Sequence, residues 1–358
     1  MLFRSEDIVT PLAQIVTILA VLPFAHFMPR RARLVFVALV GAVFVLMLAP
    51  AAFWIVSFTI VEAALLERVL RNLPKKSAVR QYLPYVLLLN VFTTDLSNGV
   101  FANQRFVTAG VAFAVVRVFM TTKQLLGAKS TTFGQRVVSL VAGGFFLPVV
   151  IVGPVLSGTA LWDQTDPTRD EIDAGSTEFL FRKLFSGWLL ATLVSEWFAQ
   201  IADGPGLARP TAPLVVVLLF LHLFAAFWGQ SLIAEAGAAL AGFEVPTNFN
   251  KPWLAVDIRD FWNRWHVSMA RFVTQYIFLP LNLRGVRAKV ATITAFVFMG
   301  LWHEVRPGYI VWGVAHGLLM AFAPKTTESS SRSFRIVNRI VTLSLVISLS
   351  YVANYAFK

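Results

Sequence analysis

The stretch APLVVVLLFLHLFAAFWG at residues 212–229 decides the fold class. Its 18 residues carry no charged side chain, and the only titratable group is His222. About 20 apolar residues in a helix cross the hydrocarbon core of a bilayer, so this stretch is a candidate transmembrane helix. His222 lies in the middle of it, where the simplest role for an imidazole is a hydrogen bond to a carbonyl of a neighbouring helix.

The composition extends this prediction to the whole chain. Of the 358 residues, 57% are hydrophobic and 14% are charged, and the mean hydropathy is +0.69. An average soluble domain has about 25% charged residues, so a soluble enzyme, a secreted domain and a disordered chain are excluded. The sequence predicts an all-α, polytopic integral membrane protein with about eleven transmembrane helices, some of them half-spans, re-entrant pieces or interfacial helices. The apolar runs fall at 11–28, 34–49, 52–66, 82–94, 106–121, 137–157, 180–201, 212–229, 231–243, 290–303, 309–323 and 336–355.

The net charge of +12 predicts the orientation of these helices. In a soluble chain such an excess would suggest nucleic acid, but membrane proteins keep Lys and Arg in cytoplasmic loops, so we expect no nucleic-acid partner. The basic loops at 30–33, 68–80 and 123–136 are predicted to be cytoplasmic, with the N-terminus outside. The acidic, Pro-interrupted stretch 163–173 is predicted to be an external loop. The opening MLFRSEDIVT lacks the basic n-region of a signal peptide, so we expect a retained first span.

The hydropathy falls sharply between residues 244 and 289. Asp257 is a plausible helix N-cap, and from there to Pro280 the pattern is that of an amphipathic helix. Asp260 and Arg264 stand four residues apart and can pair. A helix rich in Trp and Arg commonly lies in the membrane interface, which explains these residues without any catalysis. That interpretation leaves His266, placed among the aromatic residues, unexplained.

A second irregularity follows the apolar run FVFMGLWHE, which ends at His303 and Glu304. Pro307 and Gly308 predict a helix break there, and non-helical backbone at membrane depth is tolerated only around a cavity or inside the protein. The zinc-protease motif HExxH fails because its second histidine would fall on Pro307, so no metal site is predicted. A neutral imidazole is suited to be a general base, and a chain without cysteine cannot form an acyl-thioester of its own.

Other charged residues fall inside apolar runs, where they are expensive. They are Glu62, Arg117, Glu196 and Glu235. Pairing of each with an opposite charge, for instance of Arg117 with one of the glutamates, is the simplest expectation.

Several motifs together resemble the membrane-bound O-acyltransferase (MBOAT) family. The most specific are NFNKPW (248–253), DFWNRWHVSMA (260–270) and QYIFLPL (275–281), followed by MGLWHE (299–304) and WGVAHG (312–317); FFLPVVIVGPV (145–155) is a weaker element. The resemblance is strongest over 105–323 and implies one transmembrane domain, 1–358, built around a central tunnel. GQSLIAEAGAALAGF (229–243) resembles the D-alanyl transfer proteins of teichoic acid alanylation more than the alginate O-acetylases, because Leu232 stands where the acetylases carry Asp.

The resemblance also implies roles for individual residues. His303 matches the family's catalytic histidine, His266 matches a second polar position that faces it across the tunnel, and His316 matches a third recurrent histidine. We therefore predict catalytic roles for His303 and His266. Substrate-binding roles are predicted for Trp265, Arg264, Trp302, Asn250 and His316.

The function implied is transfer of a small acyl group, D-alanyl or acetyl, to a hydroxyl of a cell-envelope polymer or a lipid. The donor would be a phosphopantetheine thioester on an acyl carrier protein or on coenzyme A, with no permanently bound cofactor, and an extracytoplasmic accessory acyltransferase is a further possible partner. The location would be the bacterial cytoplasmic membrane. Two alternatives remain: a transporter or flippase with a buried His/Glu/Arg relay, and an inactive relative, because Gln230 and Gln275 replace a Tyr and an Asp that are usual in the family.

Overall fold

The computed structural model describes residues 5–91, 105–169, 176–204, 212–324, 326 and 331–356, and within these ranges it contains helices and turns but no strand. The N-terminal helices are α1 (Ser5–His26), α2 (Arg30–Leu48), α3 (Pro50–Leu70), α4 (Ala78–Tyr82), α5 (Arg105–Gly127), α6 (Phe133–Phe145) and α7 (Gly158–Asp163). They are followed by α8 (Thr177–Leu189), α9 (Ser195–Ala202), α10 (Pro213–Leu240), α11 (Ile258–Arg264), α12 (Val267–Val273), α13 (Leu279–Asn282), α14 (Ala288–His303), α15 (Pro307–Phe322) and α16 (Arg332–Tyr351). Short 3₁₀ segments occupy Leu83–Val91, Leu147–Val149 and Pro252–Leu254, and π-helical turns occupy Leu190–Val194, Thr274–Phe278 and Val352–Ala356.

Five helical stretches in the described ranges are long and apolar enough to cross a membrane: Arg30–Leu48, Ala109–Gly127, Thr177–Ala202, Pro213–Leu240 and Arg332–Tyr355. Shorter apolar helices cover Thr10–Val21, Phe133–Val149, Ala288–His303 and Pro307–Phe322. The predicted all-α membrane class agrees with this architecture, whereas the count of about eleven crossings stays a prediction. The predicted separation of runs 212–229 and 231–243 was wrong, since α10 continues through Gly229 and Gln230 and ends at Leu240. One glycine in a long apolar helix costs only about 1 kcal/mol, too little to end it.

The chain divides into two compact units. Unit 1 takes in residues 1–192 and 229–246, and unit 2 takes in 193–228 and 247–358. At the centre of unit 1 lies α5, in which Val115, Val116 and Phe119 are fully buried. Exposed apolar side chains on α3, including Trp54 and Phe58, face outward, as lipid-facing residues do.

The apolar run 137–157 does not cross the membrane as one span. It forms α6 and then doubles back, so that the backbone N–H of Gly158 donates to Thr121 Oγ1 at 2.8 Å. Ser157 Oγ donates to Gln124 Oε1 at 2.7 Å. Residues 157–158 therefore lie beside the C-terminal turns of α5 and against Ser139 and Gly143 of α6, so the chain has turned back along α6. The run is a re-entrant hairpin.

This hairpin overturns one predicted loop position. Arg30 Nη1 donates to the backbone oxygens of Asp166 at 3.3 Å and Arg169 at 2.8 Å. Residues 163–169, the described part of the predicted external loop 163–173, therefore lie at the same end of unit 1 as the basic loop 30–33. The predicted external placement of 163–173 relative to that loop was wrong, because it counted the re-entrant run as a crossing.

Basic residues of the other two predicted cytoplasmic loops meet at one end of unit 1, which agrees with the prediction that these loops share a side. Lys75 Nζ donates to the backbone oxygen of Gly127 at 3.2 Å, and Arg136 lies 3.4 Å from Glu67. Arg80 donates to the carbonyl of Leu126. Carbonyls at the end of a helix lack intrahelical partners, so Lys75 and Arg80 complete the C-terminus of α5.

The predicted pairing of buried charges was right for one glutamate and wrong for the arginine. Lys183 Nζ lies 2.7 Å from Glu235, and Glu62 accepts from Asn90 Nδ2 at 2.7 Å. Arg117 is fully buried and donates through Nε to the carbonyl of Gly143 at 2.9 Å. No acidic side chain in the described part of the chain pairs with it.

In unit 2, α9 is joined to the N-terminal part of α10 by a histidine. His222 Nδ1 lies 3.0 Å from the backbone oxygen of Ser195 and 2.9 Å from its Oγ. The predicted structural role of His222 is thus confirmed. Aromatic rings of α10 then pack on those of the following loop and of α11–α12. The cluster comprises Phe220, Phe224, Trp228, Phe249, Trp253 and Trp265.

Helices α14 and α15 form a tight hairpin in unit 2. A Cβ on Gly300 would lie 2.2 Å from the backbone oxygen of Tyr309, and one on Gly313 would lie 2.6 Å from that of Phe296. Small residues at these positions let the two backbones approach closely, as in other membrane helix pairs. This close packing fixes the positions of His303 at the end of α14 and of His316 on α15.

Candidate active site

His266 is held by a break in the helix that the sequence predicts to be continuous. The segment from Asp257 to Pro280 consists of α11, α12, a π-helical turn and α13, and the first interruption falls at residues 265–266. His266 has φ 45° and ψ 51°, the left-handed conformation. Few residues other than glycine adopt it, and Asn, Asp and His are the most frequent among them. The predicted continuous helix was therefore wrong at this residue.

The loop at 248–250 fixes this turn from both sides. The backbone N–H of Asn250 donates to the oxygen of Arg264 at 2.9 Å, and that of Val267 donates to the oxygen of Asn248 at 3.0 Å. Ser268 Oγ donates to Asn248 Oδ1 at 2.6 Å. These bonds satisfy backbone groups that the helix break would leave without partners. Their effect is to give His266 one defined position.

The start of α11 is specified as the sequence predicts. Asp257 Oδ1 accepts the backbone N–H groups of Arg259 and Asp260 at 2.9 Å each, the geometry of an N-cap. Arg264 Nε lies 2.7 Å from Asp260 Oδ1, which confirms the predicted pair. Arg259 donates to the carbonyls of Met320 and Ala323 at the end of α15, at 2.8 Å each. The helix carrying Trp262 is thereby tied to the helix carrying His316.

His266 is 3% exposed and lies outside the five candidate spans. Its ring meets Phe227 edge to face with centroids 4.7 Å apart. Burial lowers the pKa of His266 well below its ordinary value, and a positive charge on nearby His303 acts in the same direction. The imidazole is therefore neutral near pH 7.

His303 is the last residue of α14, directly before the predicted break. Residues 304–306 are non-helical, and Arg306 and Glu304 close the corner with a 2.6 Å ion pair. The His303 ring lies between aromatic neighbours, with centroid distances of 4.8 Å to Trp302, 5.5 Å to Tyr309 and 5.8 Å to Trp312. Unlike His266, His303 is exposed, so it can be reached from outside the packed interior.

His316 lies one turn beyond Trp312 on α15 and is fully buried. Its Nδ1 is 3.0 Å from the carbonyl oxygen of Trp312, and the two ring centroids are 4.4 Å apart. Trp262 packs on the same ring with a centroid distance of 5.5 Å. A chain of ring contacts therefore runs from His303 through Trp312 to His316 and Trp262.

The predicted site residues fall into three groups within unit 2. The predicted residues His303 and His316 both contact the Trp312 ring, Trp302 contacts the His303 ring, and a charge on His303 would lower the pKa of His266. Trp265 belongs to the aromatic cluster. Arg264 and Asn250 form a separate, more exposed group joined by backbone bonds.

Sequence reasoning missed two neighbours of His303, namely Tyr309 and Trp312. The spacing of four residues between Trp312 and His316 was a usable signal, since residues i and i+4 share a helix face. Tyr309 gave no such signal, because its contact with His303 depends on how closely α15 folds back on α14.

A comparison with protein-family models bears on the chemistry of this arrangement. The model of the membrane-bound O-acyltransferase family, MBOAT, matches residues 140–346. This range is more than half of the chain and contains every predicted site residue. The chain belongs to the MBOAT family.

Relatives within the family act, by their names, on different envelope polymers. A probable alginate O-acetylase AlgI of Pseudomonas fluorescens is 30% identical over 211 residues, which cover 56% of this chain and 42% of that protein. A teichoic acid D-alanyltransferase of Streptococcus thermophilus is 32% identical over 195 residues, covering 48% and 46%. A peptidoglycan O-acetyltransferase of Helicobacter pylori is 26% identical over 185 residues, covering 49% and 35%.

These MBOAT relatives confirm the predicted family and include both predicted branches. Identities of 30% and 32% do not separate an acetyl from a D-alanyl donor. The chain spans less than half of the length of the relatives it matches. The match begins at residue 140, later than the predicted 105, and extends past 323 to 346.

Proposed function

We propose that this MBOAT protein transfers a small acyl group, D-alanyl or acetyl, from a thioester donor to a hydroxyl of a cell-envelope polymer or a lipid. The observation that carries the proposal is the arrangement of two histidines in unit 2. One, His303, is exposed at a helix break, and the other, His266, is buried, neutral and held by its backbone close enough that a charge on His303 would lower its pKa. Acyl transfer to an alcohol needs a base that removes the hydroxyl proton. It also needs a group that stabilises the negative charge that develops on the carbonyl oxygen.

In this mechanism His303 accepts the proton of the acceptor hydroxyl while the oxygen attacks the thioester carbonyl. The new C–O bond forms, the C–S bond breaks, and the proton passes to the departing thiolate. The neutral His266 carries one ring N–H, which can orient the acceptor or donate to the oxyanion. Aromatic rings pack against both histidines, and such apolar surroundings strengthen electrostatic interactions.

The donor we propose is a phosphopantetheine thioester on an acyl carrier protein or on coenzyme A. A chain without cysteine cannot carry the acyl group as a thioester, so direct transfer between the two substrates is the simplest route. A further partner that we propose is an extracytoplasmic accessory acyltransferase. The proposed location is the bacterial cytoplasmic membrane, with several crossings, supported by the apolar helices described above.

The acceptor class is proposed from the relatives. Proteins named for alginate, teichoic acid and peptidoglycan all modify hydroxyl-bearing envelope polymers, so a polymer of this kind is the first acceptor to test. A membrane lipid is the alternative acceptor.

The test is acyl transfer by His303→Ala in purified membranes, measured with radiolabelled thioester donors and the host's envelope polymers. We expect at least about a 100-fold loss of rate, since a general base contributes about 10²- to 10⁴-fold. His26→Ala is the matched control, because His26 is an exposed histidine at the end of α1 in unit 1. Equal rates for His303→Ala and the native protein at equal abundance would reject the assignment. Movement of a substrate across the membrane without consumption of thioester would indicate a transporter.

A further inference from the structure

Two buried side chains of unit 2 carry polar atoms that the proposed mechanism does not use. They are Trp262 Nε1 and His316 Nε2, and neither atom has a hydrogen-bond partner in the described part of the chain. Trp262 is 5% exposed and His316 is 0% exposed. Leaving a buried polar atom without a partner is costly, so each such atom calls for an explanation.

The hydrogen bond of His316 defines what its free nitrogen can do. Nδ1 lies 3.0 Å from the carbonyl oxygen of Trp312, and a carbonyl can only accept. Nδ1 therefore carries the proton. In the neutral imidazole Nε2 is then an acceptor.

Trp262 supplies a hydrogen-bond donor, the counterpart of the acceptor on His316. An indole Nε1–H is a donor only. The rings of Trp262 and His316 meet edge to face with centroids 5.5 Å apart, and α11 and α15 are joined by the hydrogen bonds of Arg259. A buried donor and a buried acceptor thus lie on neighbouring rings held by fixed helices.

We propose that Trp262 and His316 form a hydroxyl-binding position, in which the indole N–H donates to the hydroxyl oxygen and His316 Nε2 accepts its proton. A hydroxyl is the small group that both donates and accepts, so one such group satisfies both atoms. This inference rests on the proposed function, since Trp312 contacts both His303 and His316. It specifies the acceptor as a polyol, with one hydroxyl reacting at His303 and a second held at this position.

The O–H group bound between Trp262 and His316 can belong to the acceptor substrate or to a water molecule, and NMR distinguishes the two. The probe is glycerol, titrated into the full-length protein in detergent micelles with ¹⁵N-labelled tryptophan. Trp262→Phe identifies the Trp262 indole signal. We expect a glycerol-dependent shift of this signal if an acceptor hydroxyl binds, and exchange with water but no glycerol effect if a water molecule binds.

His316→Phe should abolish either response, with His316→Gln as a second variant if the first does not accumulate. Trp188 is the matched control in unit 1, since its Nε1 is also buried with no hydrogen-bond partner among the described residues but its ring neighbour is Phe185. Its signal should not respond to glycerol. A Trp262 signal that responds neither to glycerol nor to water overturns the inference.

Kinetics provide the second readout. If the hydroxyl belongs to the acceptor, Trp262→Phe should raise the acceptor KM roughly three- to tenfold, the effect of losing one hydrogen bond, with kcat and donor hydrolysis little changed. If it belongs to water, Trp262→Phe should slow transfer and donor hydrolysis alike. Parameters equal to those of Trp188→Phe would overturn the inference. A native protein that transfers no acyl group would reject the proposed function instead, and the NMR result would then stand by itself.

Discussion

At the residue scale, His266 owes its position to its backbone. The left-handed conformation directs the imidazole toward Phe227, and bonds from both sides of the turn hold that conformation in place. The burial of His266 has an electrostatic consequence that can be measured.

We predict that the protein loses stability in mild acid because of His266. Burial lowers its folded-state pKa below the value of about 6.5 for a free histidine. Below about pH 6.5 the unfolded chain therefore binds a proton that the folded chain does not, so stability is lost as the pH falls through the folded pKa. The thermal unfolding midpoint in detergent should drop between about pH 7 and pH 5.

His266→Asn should make this drop shallower. Asn keeps the left-handed turn because its short side chain tolerates that conformation, and it does not titrate. The exposed His26→Asn serves as the control and should keep the native pH dependence. An unchanged slope for His266→Asn would contradict the prediction.

Individual residues were predictable from the sequence where a local rule specified them. The N-cap Asp257, the pair of Asp260 and Arg264, and the helix break after His303 all follow from spacing and residue type. The left-handed turn at His266 does not, because histidine favours it only weakly and the loop at 248–250 stabilises it. Tertiary bonds of this kind leave no periodic signal in the sequence.

At the element scale, the hairpin of α14 and α15 depends on glycines. We predict that Gly300→Ala destabilises the protein by about 1–3 kcal/mol, the usual effect of overpacking, since the new Cβ would lie 2.2 Å from the backbone oxygen of Tyr309. The measurement is the thermal unfolding midpoint and the abundance in membranes.

Gly134→Ala is the matched control for this substitution. Gly134 lies in the first turn of α6 with nothing within 4 Å of the added Cβ. Its replacement should be neutral or stabilising by up to about 1 kcal/mol, because alanine is the better helix former. Equal effects of the two substitutions would show that the helix contact at Gly300 does not matter.

Elements were predicted well where hydropathy alone specifies them. Helices α1, α2, α3 and α14 lie close to the predicted apolar runs. The run 137–157 was misjudged because a hydrophobic stretch buried inside protein has the same composition as one that crosses lipid. Only the contacts of Ser157 and Gly158 with α5 reveal that it doubles back.

At the scale of the whole molecule, the basic residues that give the net charge of +12 have more than one role. Lys75 and Arg80 are bound to carbonyls at the end of α5, so part of the basic loop 68–80 serves the fold. Arg68 and Lys76 in the same loop are exposed and available to a partner.

We predict that an acidic acyl carrier protein binds the solubilised protein in neutral detergent and that salt weakens the complex, since exposed charges are screened. Arg68→Glu and Lys76→Glu should each weaken binding by about two- to fivefold, the range for single exposed charge contacts. Arg182→Glu is the control, an exposed arginine on α8. Absence of binding at low salt would favour coenzyme A as the donor carrier, and binding in neutral detergent excludes lipid attraction as the explanation.

The membrane class and the family were predictable for the whole molecule because composition and ordered motifs are properties of the chain itself. The relative placement of the loops 30–33 and 163–173 was not, since it depends on whether one apolar run crosses or returns. A single misjudged element reverses every later loop in such a prediction, and so loop orientation is less secure than fold class.

The left-handed turn at residue 266 also restricts which amino acids can replace His266 during evolution. Glycine, Asn and Asp suit the backbone there, but none of them has an imidazole. Lys, Glu and Tyr have titratable groups, but such side chains are uncommon in the left-handed conformation. Asp titrates, but at about pH 4, so no single substitution retains both a suitable backbone and a group that titrates near neutral pH. We expect a saturation library at this position to separate into variants that fold without function and variants that accumulate poorly, with native histidine alone in neither class.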